Sequence, residues 1–197
     1  RWINEAVTDI ARKTEVLQTT AELDVDAGDA EHTLPAGVLR VYRATYTEDG
    51  NDHIYPLEYM DFNAADSVWW TNMATTEARP RIFTLWGYPP TLKAVLYPVP
   101  SIAGTLTVYY YANPTPLATD GTDDAEELVA AEGYLDLILE YATSMALRRD
   151  RDPRWKEHKA KYDEDLNAMI EMTRRWSDQA GTISRQGYGL PDWLVNG

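Results

Sequence analysis

Residues 92–127, LKAVLYPVPSIAGTLTVYYYANPTPLATDGTDDAEE, hold the last two strands of a β-rich block, a proline break and an acidic lead into helix. LKAVLYP (92–98) and TLTVYYY (105–111) are runs of β-branched and aromatic residues separated by the PVPSIAG turn. No helix passes through Pro114 or Pro116, each of which lacks the N–H that an interior turn requires. Working back from this stretch, RIFTLWG (81–87), VLRVYRATYT (38–47), TLP (33–35) and LQTTAELDV (17–25) read as further strands. The Asp49-Gly50 pair predicts a hairpin from strand 38–47 onto 53–56. A short helix is expected after Pro56, with Leu57, Met60, Ala64 and Ala65 on one face and Asp66 closing it. Residues 16–112 are therefore the β-rich block, and 113–123 form a Pro/acidic linker.

Helical spacing flanks the block on both sides. Ile3, Val7, Ile10, Thr14 and Leu17 recur at steps of four and three, giving a helix over about 2–15. A second helix is expected from about Asp124 to Leu147, with the stripe Leu128, Ala131, Leu135, Ile138, Ala142 and Met145, widened by Tyr134 and Tyr141. Asp152-Pro153 starts a third, since Asp is a good N-cap acceptor and Pro loses nothing in the first turn. Its apolar positions keep one face to about residue 178. The fold class this predicts is α+β: a helical bundle (1–15 and 124–178) made of the N-terminal helix and a C-terminal antiparallel hairpin, with an inserted antiparallel β-rich block. Residues 179–197 read as an extended C-terminal tail, without period and punctuated by glycine.

The 197 residues bury roughly 70% of the extended-chain surface, enough for a core without disulfides, and the chain has no Cys. Thirty-two Asp/Glu against 18 Lys/Arg give net charge −14, a poor composition for gripping nucleic acid phosphates. No apolar run approaches the ~20 residues of a membrane span, so no membrane is expected as a partner. The chain opens at Arg1 without Met and is already helical in pattern at Trp2 and Ile3, so Arg1 reads as an internal start.

Catalytic motifs are missing. His32, His53 and His158 fall in no metal-ligand spacing, and there is no nucleophile elbow, P-loop or dinucleotide fingerprint. The chain is read as no enzyme, with no metal and no cofactor. Asp24-Val-Asp26-Ala-Gly-Asp29 fails as an EF-hand, because position 6 is Asp29 and position 12 is Pro35, and reads as an acidic turn. One window opposes the global charge: from Arg148 to Lys161 the net is +4, so the rest of the chain sums to −18. Arg148, Arg149, Arg151, Arg154, Lys156 and Lys159 are candidates for docking an acidic partner, against the alternative of an ordinary solvated face. Trp69-Trp70, Trp86 with Tyr88, and Tyr109-Tyr110-Tyr111 raise an alternative function, a non-enzymatic module binding a glycan or virion surface partner. Neighbours on a strand face opposite sides, however, so at most every second one shares a platform.

Four segments in order, RWINEAVTDIA (1–11), HTLPAGVLRVYRATY (32–46), LYPVPSIAGTLTVYYYANPTPL (96–117) and EELVAAEGYLDLILEYATSMALRR (126–149), resemble the head–tail connector proteins of tailed bacteriophages. These are also called adaptor or head completion proteins and include tail-tubular-protein-A-like members with a β-rich insertion. The resemblance runs from Arg1 to about Trp176. It implies a structural virion protein, assembled in the host bacterial cytoplasm, that forms a homo-oligomeric ring, dodecameric in this family, at the head–tail junction. Such a ring docks on the portal protein, extends the DNA channel and offers an attachment site to a downstream tail or nozzle protein. Double-stranded DNA passes through without specific binding. A chain terminus often docks in such rings, which makes Tyr188, Leu190, Trp193 and Leu194 candidate portal-docking residues.

Overall fold

The computed structural model describes residues 2–62, 77–116 and 132–187. Among these described residues are the helices α1 (Trp2–Thr14), α2 (Glu132–Arg149) and α3 (Trp155–Gly187). The described residues between α1 and α2 hold nine strands: β1 (Gln18–Val25), β2 (Glu31–Thr33), β3 (Val38–Glu48), β4 (Ile54–Tyr59), β5 (Glu77–Ala78), β6 (Ile82–Trp86), β7 (Lys93–Tyr97), β8 (Val99–Pro100) and β9 (Gly104–Ala112). The chain divides into two units, Leu17–Thr115 and Arg1–Val16 with Pro116–Gly197.

The expectation of a helical bundle carrying an antiparallel insertion is corrected here. The fold is a mixed α+β one, with a large seven-stranded sheet, ordered β1-β9-β3-β4-β6-β7-β2, and three helices among the described residues. The first and last long strands, β1 and β9, pair over eight positions from Gln18↔Tyr111 to Val25↔Gly104. That pairing brings the two ends of the block side by side, so the sheet is a unit with its own core rather than an appendage. Twelve buried residues form that core among the described ones, including Val25, Tyr46, Phe83, Leu96, Leu106 and Val108, against nine in the helical unit. The sheet is also not purely antiparallel. β4 pairs parallel with β6 (Glu58↔Ile82, Tyr59↔Phe83), because Met60–Arg81 exceeds the dozen or so residues that a crossover needs. β5 and β8 make a second, two-stranded parallel ladder, placing Val99-Pro100 in a strand instead of a turn.

The hairpin expected at Asp49-Gly50 is present, with β3 antiparallel to β4 (Ala44↔Leu57, Thr47↔Ile54) and Gly50 at φ 77°. Leu57 belongs to β4 and not to a helix, since it sits in that ladder opposite Ala44; Ala64, Ala65 and Asp66 lie outside the described residues. At Gly104 the β9 backbone lies tight against β3. A Cβ there would stand 2.2 Å from the Thr47 carbonyl oxygen and 2.9 Å from Tyr46 Oη. The Tyr46 ring is fully buried and its hydroxyl donates to the Ile102 carbonyl at 2.5 Å, locking the start of β9.

In the helical unit, Ala6, Val7 and Ile10 of α1 meet Tyr134, Leu137 and Ile138 of α2 and Tyr162, Leu166 and Met169 of α3. Burial of side chains of this size contributes roughly 1.5–3 kcal/mol each. Of the residues expected on the packed face of α2, Tyr134 and Ile138 are buried and Tyr141 packs against the core, but Leu135 is 45% exposed and Leu137 is buried instead. Apolar residues surround α2 almost completely, so its sequence does not specify a face, and packing against α1 and α3 chooses one. Helix α3 continues to Gly187, past the stop expected near 178. Gly181 costs an interior turn only about 1 kcal/mol, and no proline intervenes before Pro191.

Candidate functional site

The basic window folds as the turn between α2 and α3. Arg148 and Arg149 occupy the last turn of α2, where cations meet the negative end of the helix dipole. The helix then closes in a Schellman arrangement: Asp152 N–H donates to the Leu147 carbonyl (2.9 Å) and Arg151 N–H to the Arg148 carbonyl (3.2 Å). Arg151 holds the left-handed position, φ 59°, that glycine usually fills. An L-side chain there is strained by about 1–2 kcal/mol. Asp152 next caps the start of α3, its Oδ1 accepting from Arg154 N–H (3.0 Å) and its carbonyl from Trp155 N–H (3.2 Å). The Arg154 guanidinium also grips both Asp152 oxygens, at 2.6 Å for the shortest contact. These side-chain and backbone hydrogen bonds pull the Asp152 carboxyl down to about 2.

Of the six cations singled out in the sequence, two are engaged in ion pairs: Arg154 with Asp152, and Lys159 with Asp163. Lys159 also lies 5.1 Å from the Tyr162 ring centre, and the Arg148 guanidinium stacks over Trp155 at 5.4 Å. Arg149, Arg151 and Lys156 are exposed at the tip and form no ion pair among the described residues. Three cations thus face solvent at the tip, while Arg154 and Lys159 are committed to shaping it. Tyr188, Leu190, Trp193 and Leu194 lie outside the described residues.

A carboxylate not anticipated from sequence braces this turn. Glu140 of α2 accepts from Lys161 Nζ (2.5 Å) and contacts His158 Nδ1 (2.7 Å), both on α3. The hydrogen bonds from Lys161 and His158 hold the Glu140 carboxyl below the usual range. Only its spacing to the hairpin midpoint would have betrayed it, and an acidic helix offers many such candidates. A second brace joins α1 to α3: the buried Tyr162 hydroxyl donates to Asp9 Oδ2 (2.7 Å), which also accepts from Lys13 (2.7 Å). Burial pushes the Asp9 carboxyl up, but the Lys13 and Tyr162 hydrogen bonds outweigh it and leave it lowered.

The other residues singled out are dispersed. His32 is buried with Nε2 3.2 Å from the Asp29 carbonyl, His53 packs edge-on to Tyr55, and His158 serves Glu140. No group of three His, Asp or Glu suited to a metal occurs among the described residues. Of the Asp24–Asp29 segment, Asp24 and Val25 end β1 and only Asp26–Asp29 form the acidic turn, with Gly28 at φ 86° and Asp29 Oδ1 accepting from Glu31 N–H. Trp86 stacks on Phe62 with Lys93 over its ring, and Tyr88 is 84% exposed; Trp69-Trp70 lies outside the described residues. Tyr110 is buried, whereas Tyr109 and Tyr111 share the opposite face. No helix among the described residues is long and apolar enough to cross a membrane.

The geometry is thus that of a protein presenting surfaces, and the family comparison agrees with it. The model of the SU10 adaptor protein family matches residues 1–186. The chain belongs to that family. SU10 adaptors are phage head–tail adaptor proteins, so this adaptor is a structural component of the virion that associates with phage head and tail proteins. No curated protein matches the adaptor.

Proposed function

We propose that this adaptor is one subunit of a homo-oligomeric ring, twelve-fold as the resemblance implies, that docks on the portal, extends the DNA channel and receives a downstream tail or nozzle protein. The family match over residues 1–186 carries this reading. The α2–α3 tip supports it and is the portal-facing element: a strained Arg151 is kept where glycine folds more easily, and Arg149 and Lys156 stand beside it. Strain retained at an exposed cation favours a role in binding over one in folding. A net charge of −14 per copy, repeated around a ring, repels phosphates and suits a channel that DNA traverses without adhering. The ring assembles in the host cytoplasm. The docking role is tested with Arg149→Glu/Arg151→Glu/Lys156→Glu in a pull-down on purified portal. Binding is expected to fall at least tenfold and to weaken with salt; unchanged binding removes the tip from the interface.

A further inference from the structure

Two uncharged apolar surfaces stay open in a single copy, and neither belongs to the α2–α3 tip. Between Glu77 and Asp120 the sequence holds no Asp or Glu, and its only charges are Arg79, Arg81 and Lys93. Residues 86–91 of that stretch, which close the hairpin between β6 and β7, are all exposed and uncharged. The hairpin is fixed from within. Thr91 N–H and Oγ1 both donate to the Tyr88 carbonyl (2.8 and 3.2 Å), and Gly87, at φ 92°, lets the backbone pass where a Cβ would stand 3.1 Å from the Thr91 carbonyl oxygen. Pro89 and Pro90 set φ at two further positions. Trp86 at the root has Phe62 stacked on it and Lys93 over its ring, whereas Tyr88 is 84% exposed and meets no other ring or cation among the described residues. A large ring displayed on a loop already fixed loses little entropy when a partner covers it.

The second surface runs along α2. Apolar residues surround this helix almost completely, the pattern of a helix covered on more than one side. Leu137 and Ser144 are buried on one side, while Leu135 and Leu139 (53%) stand exposed on the opposite one, with Ala142 and Ala146 half-buried in line with them. Steps of four, three and four put these last four residues within about 60° of arc, the narrow seam through which one helix takes up a partner's side chains. We propose that the Tyr88 hairpin of one copy packs on the Leu135–Leu139–Ala142–Ala146 seam of a second copy of this chain. Charge selects the occupant. Two copies at −14 each repel over most of their surface, so they meet best where neither brings a charge, and both surfaces fulfil that condition, with Asp136 only at the rim of the seam. The hairpin lies in the unit Leu17–Thr115 and the seam in the other unit, so two different surfaces meet and the contact is head-to-tail, the kind that closes into a ring when the rotation permits.

This inference rests on the homo-oligomeric part of the function proposed above. Its test is sedimentation velocity of the full chain over a concentration series at two salt levels. Wild type is expected to self-associate, and no less at high salt, since screening removes repulsion and leaves apolar burial intact. Tyr88→Ser and Leu135→Gln/Leu139→Gln are each expected to weaken association at least tenfold. The first variant keeps the seam and the second keeps the hairpin, so their equimolar mixture should recover one contact per pair and stop at a 1:1 dimer. Circular dichroism checks folding, and Leu139→Gln alone repeats the seam test with a smaller change. A wild-type chain that stays monomeric, association that falls away with salt, variants that associate as wild type does, or a mixture that stays monomeric or grows past the dimer overturns the contact. Portal capture is measured in parallel. Capture lost in Tyr88→Ser while self-association persists overturns the contact in favour of the portal as occupant. A chain that binds portal but self-associates independently of Tyr88 sinks this contact and leaves the adaptor role standing.

Discussion

Tyr162→Phe isolates one hydrogen bond between α1 and α3. The ring is fully buried and packs edge-on against Tyr141 at 5.2 Å, so Phe keeps the apolar contact and removes only the donor to Asp9. A hydrogen bond to a charged group contributes about 1.5–3 kcal/mol. The Asp9 side chain is 33% exposed and retains Lys13, so water replaces part of that loss, and the expected cost is about 1–1.5 kcal/mol. The pH dependence follows from the lowered Asp9 carboxyl. A depressed carboxylate contributes stability above its unfolded value, about 3.9, and loses it as pH falls through the lower folded value. Removing the Tyr162 donor brings Asp9 closer to its ordinary value, so the gap between wild type and Tyr162→Phe should narrow as the solution is acidified below about pH 4. With two units in the chain, global melting is a poor probe; hydrogen exchange of α1 amides, read by mass spectrometry, reports the affected helix. Equal α1 protection in both proteins at neutral pH, or a gap that widens in acid, would refute the role given to this bond.

Three further outcomes follow from particular contacts. Gly104→Ala should destabilise the sheet unit by about 2–3 kcal/mol in denaturant titration, because the added methyl meets the Thr47 backbone oxygen and not a side chain that can rotate away. Arg151→Gly should stabilise the helical unit by about 0.5–1 kcal/mol by relieving φ 59°, while weakening portal capture in a pull-down; loss of both stability and binding would contradict the strain argument. Glu140→Gln should cost about 1 kcal/mol and raise exchange at the α2–α3 turn, an effect that shrinks in acid as the lowered wild-type carboxyl protonates.

What the sequence disclosed and what it concealed have physical causes. Strands β3, β6, β7 and β9 were legible because β-branched and aromatic runs bounded by Gly and Pro are local signals. Apart from the β3–β4 hairpin announced by Asp49-Gly50, their partners were not, since the eight-position pairing of Gln18–Val25 with residues 104–111 spans most of the block, and nothing local announces that β4 and β6 run parallel. That non-local closure is why the sheet read as an insertion. The face of α2 was unreadable because Leu135, Leu137, Ile138 and Leu139 leave no single stripe. In the basic window, charge counting found the tip but not its division of labour, which depends on Asp152 and Asp163 being near enough to take Arg154 and Lys159. The joint exposure of Arg40, Tyr42 and Arg43 on β3 depends on two bulges, and a bulge shifts a face by one residue without a compositional mark.

The proposed role of this adaptor is to join the phage head to its tail through the portal. Electron microscopy of purified portal, alone and mixed with the full chain, tests it most directly. A ring of added density is expected on the portal's tail-side surface, reduced in the Arg149→Glu/Arg151→Glu/Lys156→Glu variant. Portal particles unchanged by excess wild-type chain, at low as well as physiological salt, would contradict it.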